Sequence, residues 1–403
     1  MKLKIIKIIS VTILIPFTFI SASKTDQYKK VKKNLSLIND VYRHLITNYV
    51  DDIELDAFTK MSINNILMDL DPYTVYMENE ERSGIEMLTR GKYGGVGIQI
   101  GKRDNFLTVI SPMENSPAKH AGILSGDRII KIDNRETINM SMDAAAKLIR
   151  GEKGTKVILT IERFGEKEWI DYSLKREDIK VNDVFYYGML ENQTGYIRLT
   201  RFSKNSAKEV KKAIIELMNK NMTGLILDLR DNPGGLLNSA VDILDMVIDQ
   251  GENLVSTIGK THRSKRQYKS KSKPIVPDDI SIAVLINQGS ASASEIVSGV
   301  IQDLDRGVVI GRPSFGKGLV QTVYKIDRDR SLKITTAKYY IPSGRLIQKP
   351  GYLPDEIKAD TSMQDTLFKT IGGRTVTGGG GITPDYKIIL DKKIELLVVG
   401  PEE

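Results

Sequence analysis

Ile282-Ala283-Val284-Leu285-Ile286 is followed by Gly289-Ser290-Ala291-Ser292-Ala293-Ser294-Glu295 and then by Ile296-Val297-Ser298-Gly299-Val300-Ile301. An apolar run, a stretch of small residues and a helical pattern in that order make a strand, a tight turn and a helix. Such a junction projects a side chain above the sheet edge and aims the first free helix N–H groups at the same place. Ser292 stands there, although a plain turn of small residues would read the same way. A hydroxyl nucleophile needs a neighbour that takes its proton. The candidate is Lys317, 25 positions on in Ser314-Phe315-Gly316-Lys317-Gly318. Burial disfavours an ammonium and turns lysine into a base, and the surroundings suit it: Phe315, Leu319 and Val320 are apolar and two glycines allow close approach. Histidine occurs only as His44 in a polar helix, His120 before a glycine turn and His262 in a basic loop. A Ser-His-Asp triad is therefore not expected.

Outward from this junction, strands and helices alternate from about Asn182 to the end. Thr194–Leu199 and Gly224–Leu229 read as strands, Ser206–Asn219 and Ser239–Ile248 as helices. Between the second strand and second helix lies Arg230-Asp231-Asn232-Pro233-Gly234-Gly235-Leu236-Leu237. Two glycines after a strand expose backbone N–H groups, as an oxyanion site requires, and an ordinary turn requires no less. Gly311-Arg312-Pro313-Ser314-Phe315-Gly316-Lys317-Gly318 nearly fits a phosphate-binding loop. Gly318 stands where such a loop needs Ser or Thr, and Leu319–Tyr324 reads as a strand instead of a helix.

The chain has 403 residues, enough for two or three domains, and a formal net charge of +8. Its positives are spread, except for Lys260, His262, Arg263, Lys265, Arg266, Lys269, Lys271 and Lys273. With Tyr268 as the only interleaved aromatic, this stretch reads as a solvated loop, and no nucleic-acid partner is expected. Lys2, Lys4 and Lys7, an apolar segment from Ile8 to Ile20 and Ser21-Ala22-Ser23 read as a secretory signal peptide, an uncleaved anchor being the alternative. The expected location is periplasmic or in the cell envelope. Cysteine is absent, which excludes disulfides, thiol catalysis and cysteine-bound zinc. Leu35, Ile38, Val41, Tyr42, Leu45 and Ile46, then Phe58, Ile63, Ile66, Leu67 and Leu70, carry a helical pattern that Asp71-Pro72 stops. Those apolar faces are expected to pack on the body of the protein or on a second subunit.

Residues 91–177 form a mixed unit whose elements and motifs are similar, in order, to a PDZ domain. Gly95-Val96-Gly97-Ile98 corresponds to the carboxylate-binding loop, Ser116–Gly122 to the small-residue helix and turn, and Gly126-Asp127 to the turn before the third strand. A glycine-rich loop offers successive N–H groups to a carboxylate while an extended peptide adds an edge strand.

Together these pieces resemble the C-terminal processing peptidases, the PDZ-bearing serine peptidases of family S41. Further motifs carry the resemblance along the chain: Leu70-Asp71-Pro72-Tyr73, Asp228–Gly235, Gly289–Ile296, Phe315–Gln321, Thr336–Gln348 and Gly379–Asp385. It implies a multidomain α/β protein: signal peptide 1–23, an N-terminal helical region 24–90 for packing or dimerisation, a PDZ domain 91–177, and a ClpP/crotonase-like α/β protease core 178–403. It makes Ser292 the nucleophile, Lys317 the general base and Gln321 the residue that orients the lysine. Oxyanion donors are Ala293 and one of Gly234 or Gly235. Arg150 falls where the family carries an arginine linking PDZ domain and core. The implied function is cleavage of polypeptides near a free C-terminus, without metal or organic cofactor, with a homo-oligomer and a membrane-associated adaptor as further partners. A non-catalytic tail-binding adaptor, a phosphate-loop nucleotide-binding protein and a small-acyl hydrolase are the competing readings.

Overall fold

The computed structural model describes residues 26–78, 89, 91–103, 105–327, 329–351 and 366–389. The signal segment 1–23 lies outside them. The chain divides into two units, Met1–Ile66 and Leu67–Glu403.

In the first unit residues 26–48 are helical and a second helix, Leu55–Met68, begins where Glu54 Oε2 accepts the Ala57 N–H at 2.6 Å. That acceptor satisfies one of the orphan donors of a helix start. Tyr42 shares a 2.7 Å hydrogen bond with Thr59, and its ring lies 5.8 Å from that of Phe58. Val31, Leu35 and Ile38 remain at least half exposed.

The second unit contains two bodies of sheet. One has the strand order Ile98–Arg103, Phe106–Pro112, Arg128–Ile132, Lys156–Glu162, Ile170–Lys175. Leu107, Val109, Ile129, Ile132, Leu159 and Ile161 fill its core. Ser116 and Ser141 cap the helices Pro117–His120 and Met142–Ile149 by accepting from Lys119 and Ala144 N–H. Ile98–Arg103 is the edge strand, beside the Met142–Ile149 helix. The chain enters and leaves this body through an antiparallel pair, Lys92–Gly95 with Glu177–Lys180.

The other body is a six-stranded sheet ordered Val184–Met189, Thr194–Leu199, Gly224–Asp228, Ser281–Ile286, Val308–Gly311, Tyr386–Lys387. Its first pair is antiparallel and the rest are parallel. Helices Ser206–Met218, Leu237–Leu244 and Ala293–Asp303 bury their apolar residues in the same core cluster. The loops after Asp228, Ile286 and Gly311 leave the carboxyl ends of three adjacent parallel strands, the edge where open α/β sheets build their sites. A second, antiparallel sheet runs Val75–Glu78, Arg330–Tyr340, Asn253–Gly259, Arg266–Lys269, with Leu319–Lys325 also paired to Arg330–Tyr340. At the end of the Ala293–Asp303 helix the fully buried Arg345 donates to Asp303 Oδ1 and Gln302 Oε1, both at 2.7 Å.

Three elements differ from the sequence reading. Val75–Glu78, inside the region read as helical, is a strand because its partners, Arg330–Lys333, lie more than 250 residues away. Arg266–Lys269, read as a solvated loop, pairs with Asn253–Thr257 at the sheet edge. Its charged side chains stay exposed while Tyr268 packs inward, a common guard against edge-to-edge association. The helix read as Ser239–Ile248 is Leu237–Leu244, and the buried Met246, Val247 and Ile248 follow in turns.

Candidate active site

Three serines crowd the turn between Ile286 and the Ala293–Asp303 helix, and burial separates them. Ser290 Oγ donates to Leu229 O and Ser294 Oγ to Asn232 O, both at 2.8 Å, and both residues are fully buried. Ser292 is half-buried with no such commitment. Its backbone sits at φ 54°, ψ −112°, a region a side chain rarely adopts. The surroundings enforce it: Ala291 N–H donates to Asn232 O at 3.0 Å, and Ser292 N–H to Glu295 Oε2 at 2.8 Å. A serine on a strained strand-to-helix turn presents its hydroxyl away from the sheet.

The loop Asn232-Pro233-Gly234-Gly235 lies against this turn. Asn232 is buried; its Nδ2 donates to Leu199 O and its Oδ1 accepts the Gly234 N–H at 2.9 Å. A Cβ on Gly234 would stand 2.8 Å from Ala293 N, so the two segments touch backbone to backbone. Gly234 N–H is thus spent on Asn232, whereas Gly235 N–H and Ala293 N–H have no partner among the described residues. Of the two glycines left open by the sequence, Gly235 retains the free donor.

Lys317 is half-buried in the loop after Gly311. Burial first, and then Lys333, push its ammonium down from 10.5 to about 8, with Glu295 and Asp71 acting the other way. No hydrogen bond joins Lys317 Nζ to Ser292 Oγ in this structure; Nζ lies 4.3 Å from the centre of the Tyr73 ring. Two buried side chains nevertheless tie the serine turn to the lysine loop. Glu295 accepts from Ser292 N–H and Lys317 N–H on Oε2, and from Gly316 N–H and Ser314 Oγ on Oε1. The Tyr339 hydroxyl donates to Lys317 O and lies 3.2 Å from Ser292 O. Burial pushes the Glu295 carboxyl up to about 7, against four hydrogen bonds that favour its charge.

Gln321 does not reach the lysine amine; its Nε2 donates to Thr335 Oγ1 at 3.3 Å, beyond a bulge between Val320 and Gln321. The N–H groups that a phosphate loop would offer are committed as well, Gly316 and Lys317 to Glu295 and Gly318 to Gln348 Oε1. A cavity of about 290 Å³ opens beside this loop, walled by Tyr73, Phe315, Gly316, Gln348 and Lys349. A larger one, about 670 Å³, is lined by Gln302, Arg374 and Asp385 and holds none of the expected site residues.

Gly95 ends the Lys92–Gly95 strand of the entry pair, Val96 and Gly97 form the loop after it, and Ile98 opens the edge strand of the other body of sheet. Val96 O accepts from Ala118 N–H, and Gly97 O from Met113 N–H and Ser116 Oγ, which pins the loop at the head of the free edge strand. Arg150, the residue after the Met142–Ile149 helix, stacks 5.0 Å from the centre of Tyr93, in the pair of strands through which the chain enters and leaves. Burial raises the Tyr93 phenol, opposed by Arg150 and by Arg201 of the larger body.

Sequence reasoning missed Glu295, Tyr73 and Tyr339. Glu295 had a signal, since Ser292-Ala293-Ser294-Glu295 has capping-box spacing. The tyrosines lie within motifs already singled out, Leu70–Tyr73 and Thr336–Gln348, but their place beside Lys317 depends on distant strand pairing.

The family description Peptidase family S41 matches residues 193–358 and that of the PDZ domain residues 108–163. A carboxy-terminal-processing protease of Bartonella bacilliformis is 38% identical over 335 residues, 82% of this chain and 76% of its own. The carboxy-terminal processing protease CtpA of Bacillus subtilis is 35% identical over 324 residues, 80% and 68% respectively. Among solved structures, a photosystem II D1 C-terminal processing protease aligns over 87% of this chain and 86% of its own at 25% identity, with a TM-score of 0.48.

Proposed function

Since the chain belongs to peptidase family S41 and carries a PDZ domain, we propose that it is an exported serine endopeptidase that cuts polypeptides held by their free C-terminal tails. One observation carries the reading: Ser292, the serine of the turn whose hydroxyl donates to no backbone carbonyl among the described residues, directly precedes the free Ala293 N–H and stands on a turn tied to the lysine loop by Glu295 and Tyr339.

The tail adds a strand to Ile98–Arg103, its carboxylate on the Gly95–Ile98 loop and its side chains against the Met142–Ile149 helix. At the core, uncharged Lys317 takes the Ser292 proton as Oγ attacks the scissile carbonyl. The oxyanion that forms faces Ala293 N–H and Gly235 N–H, and each such donor contributes about 100- to 1000-fold in rate. Lys317 then gives its proton to the leaving amine, and water hydrolyses the acyl-enzyme through the same groups. Arg150, stacked on Tyr93 at the junction of PDZ domain and core, would carry tail binding to the core. The exposed Val31, Leu35 and Ile38, at spacings of four and three, support a second copy as partner, and the N-terminal segment supports export to the envelope, where a membrane-associated adaptor would deliver substrates.

The test is incubation of a tail-bearing protein with the native chain, Ser292→Ala and Lys317→Ala, with mass spectrometry of the enzyme trapped by an acylating inhibitor. Cleavage by the native chain alone and an adduct on Ser292 are expected. Equal cleavage by all three, or an adduct elsewhere, sinks the assignment.

A further inference from the structure

What faces the Lys317 amine is an aromatic ring. Its Nζ lies 4.3 Å from the Tyr73 ring centre, and it makes no hydrogen bond or ion pair among the described residues. The charged groups around it are Glu295 and Asp71, which favour the ammonium, and Lys333, which opposes it. Neither carboxylate bonds the amine. Glu295 is spent on Ser292, Ser314, Gly316 and Lys317 N–H. Asp71 Oδ1 accepts from Tyr73 N–H at 2.8 Å, Thr74 N–H at 2.9 Å and Thr335 Oγ1 at 3.1 Å, and Oδ2 accepts from Thr74 Oγ1. The turn that presents the ring is therefore fixed by Asp71. Thr335 links that turn to Gln321, whose Nε2 donates to Thr335 Oγ1.

A ring face attracts an ammonium and has no comparable attraction for a neutral amine. We propose that Tyr73 is a charge-selective rest for the catalytic lysine, holding Lys317 when it is protonated and releasing it to Ser292 when it is neutral, with Gln321, through Thr335 and Asp71, positioning the ring. The proposal rests on the reading of Lys317 as the base. In acylation the Ser292 O–H bond breaks as the Oγ–carbon bond forms, and the proton moves to Nζ. The new ammonium meets the ring face until its proton passes to the leaving nitrogen as the carbon–nitrogen bond breaks.

Two readouts test it. In full-length chain carrying Ser292→Ala, lysine labelled with ¹³C at Cε is titrated by NMR, Lys317 being assigned by its loss in Lys317→Arg. Tyr73→Leu should lower the Lys317 midpoint by about one unit, and Tyr73→Phe should leave it in place. In active enzyme, Tyr73→Leu should lower the plateau of kcat/KM about tenfold and move its rising limb to lower pH, Tyr73→Phe should do neither, and Gln321→Ala should shift both the same way by less. A merely structural loss would reduce the plateau without lowering the midpoint. Where Tyr73→Leu does not fold, fluorinated phenylalanines at position 73 weaken the ring face at nearly constant shape and should lower the midpoint stepwise. A midpoint that stays or rises overturns the role of the ring. A midpoint that moves by NMR while the activity limb ignores it overturns Lys317 as base, and the two failures are thereby distinct.

Discussion

Replacing Gly234 with alanine tests the oxyanion assignment most directly, because the added atom lands on the nucleophile turn. Gly234 has φ +94°, and its Cβ would stand 2.5 Å from Ala291 O and 2.8 Å from both Ala293 N and Ser292 Cβ. Two of these are backbone atoms and cannot rotate aside. The loop is held from its other side by Asn232 Oδ1 and by Phe202 N–H, each at 2.9 Å. Reaching ordinary contact needs about 0.6–0.9 Å of separation between loop and turn. On the proposed assignment of Gly235 N–H and Ala293 N–H as oxyanion donors, that separation moves the two out of the narrow range such donors require, and kcat should fall about 100- to 1000-fold. Stability should fall by about 2–5 kcal/mol, from left-handed backbone at about 1–2 kcal/mol and overpacking at about 1–3 kcal/mol. The assays are kcat on a tail-bearing peptide, and urea unfolding in a Ser292→Ala background so that self-cleavage does not interfere. Gly165→Ala is the control, with φ +91° but nothing within 4 Å of the added atom, and should cost stability alone. A folded Gly234→Ala enzyme with kcat within about threefold of native would refute the oxyanion geometry.

Activity should rise with pH through about 8, because the lowered Lys317 pKa makes the basic form abundant only above it. Lys333→Gln removes a neighbouring positive charge and should move the rising limb upward; a flat profile into acid would count against a lysine base. Glu295→Ala orphans the N–H groups of Ser292, Gly316 and Lys317, and urea unfolding should show a loss of about 3 kcal/mol or more together with activity. Arg345→Met leaves Asp303 buried without its cation and should cost about 3–5 kcal/mol by the same measurement, part of which Asp303→Leu in the double variant should recover.

Much of the fold was legible because its elements are local. The apolar run, small residues and helix period around Ser292 needed no partner to be read, and the alternation after Asn182 placed the parallel sheet. Val75–Glu78 is four residues long and makes sense only against Arg330–Lys333, so periodicity reported the helices before it and nothing more. The basic stretch misled for another reason: on an edge strand the outward side chains are as solvated as in a loop, and only backbone pairing tells them apart. At the site, residue chemistry pointed to Ser292 and Lys317. The sequence could not show which glycine N–H stays free, since that depends on the Asn232 side chain folding back on Gly234. Nor could it show that Gln321 ends on Thr335, because a bulge sets its direction.

Lys92–Gly95 and Glu177–Lys180 run side by side in opposite directions, and Val75–Glu78 before them already belongs to a sheet of the core. The PDZ domain is thus a cassette spliced into the protease core, with both of its splice points at one doorway. Exchange of that cassette for another reader closes the backbone at the same short ribbon and leaves every strand of the parallel sheet in its register. Changes within the PDZ domain can therefore leave the strands of the protease core undisturbed.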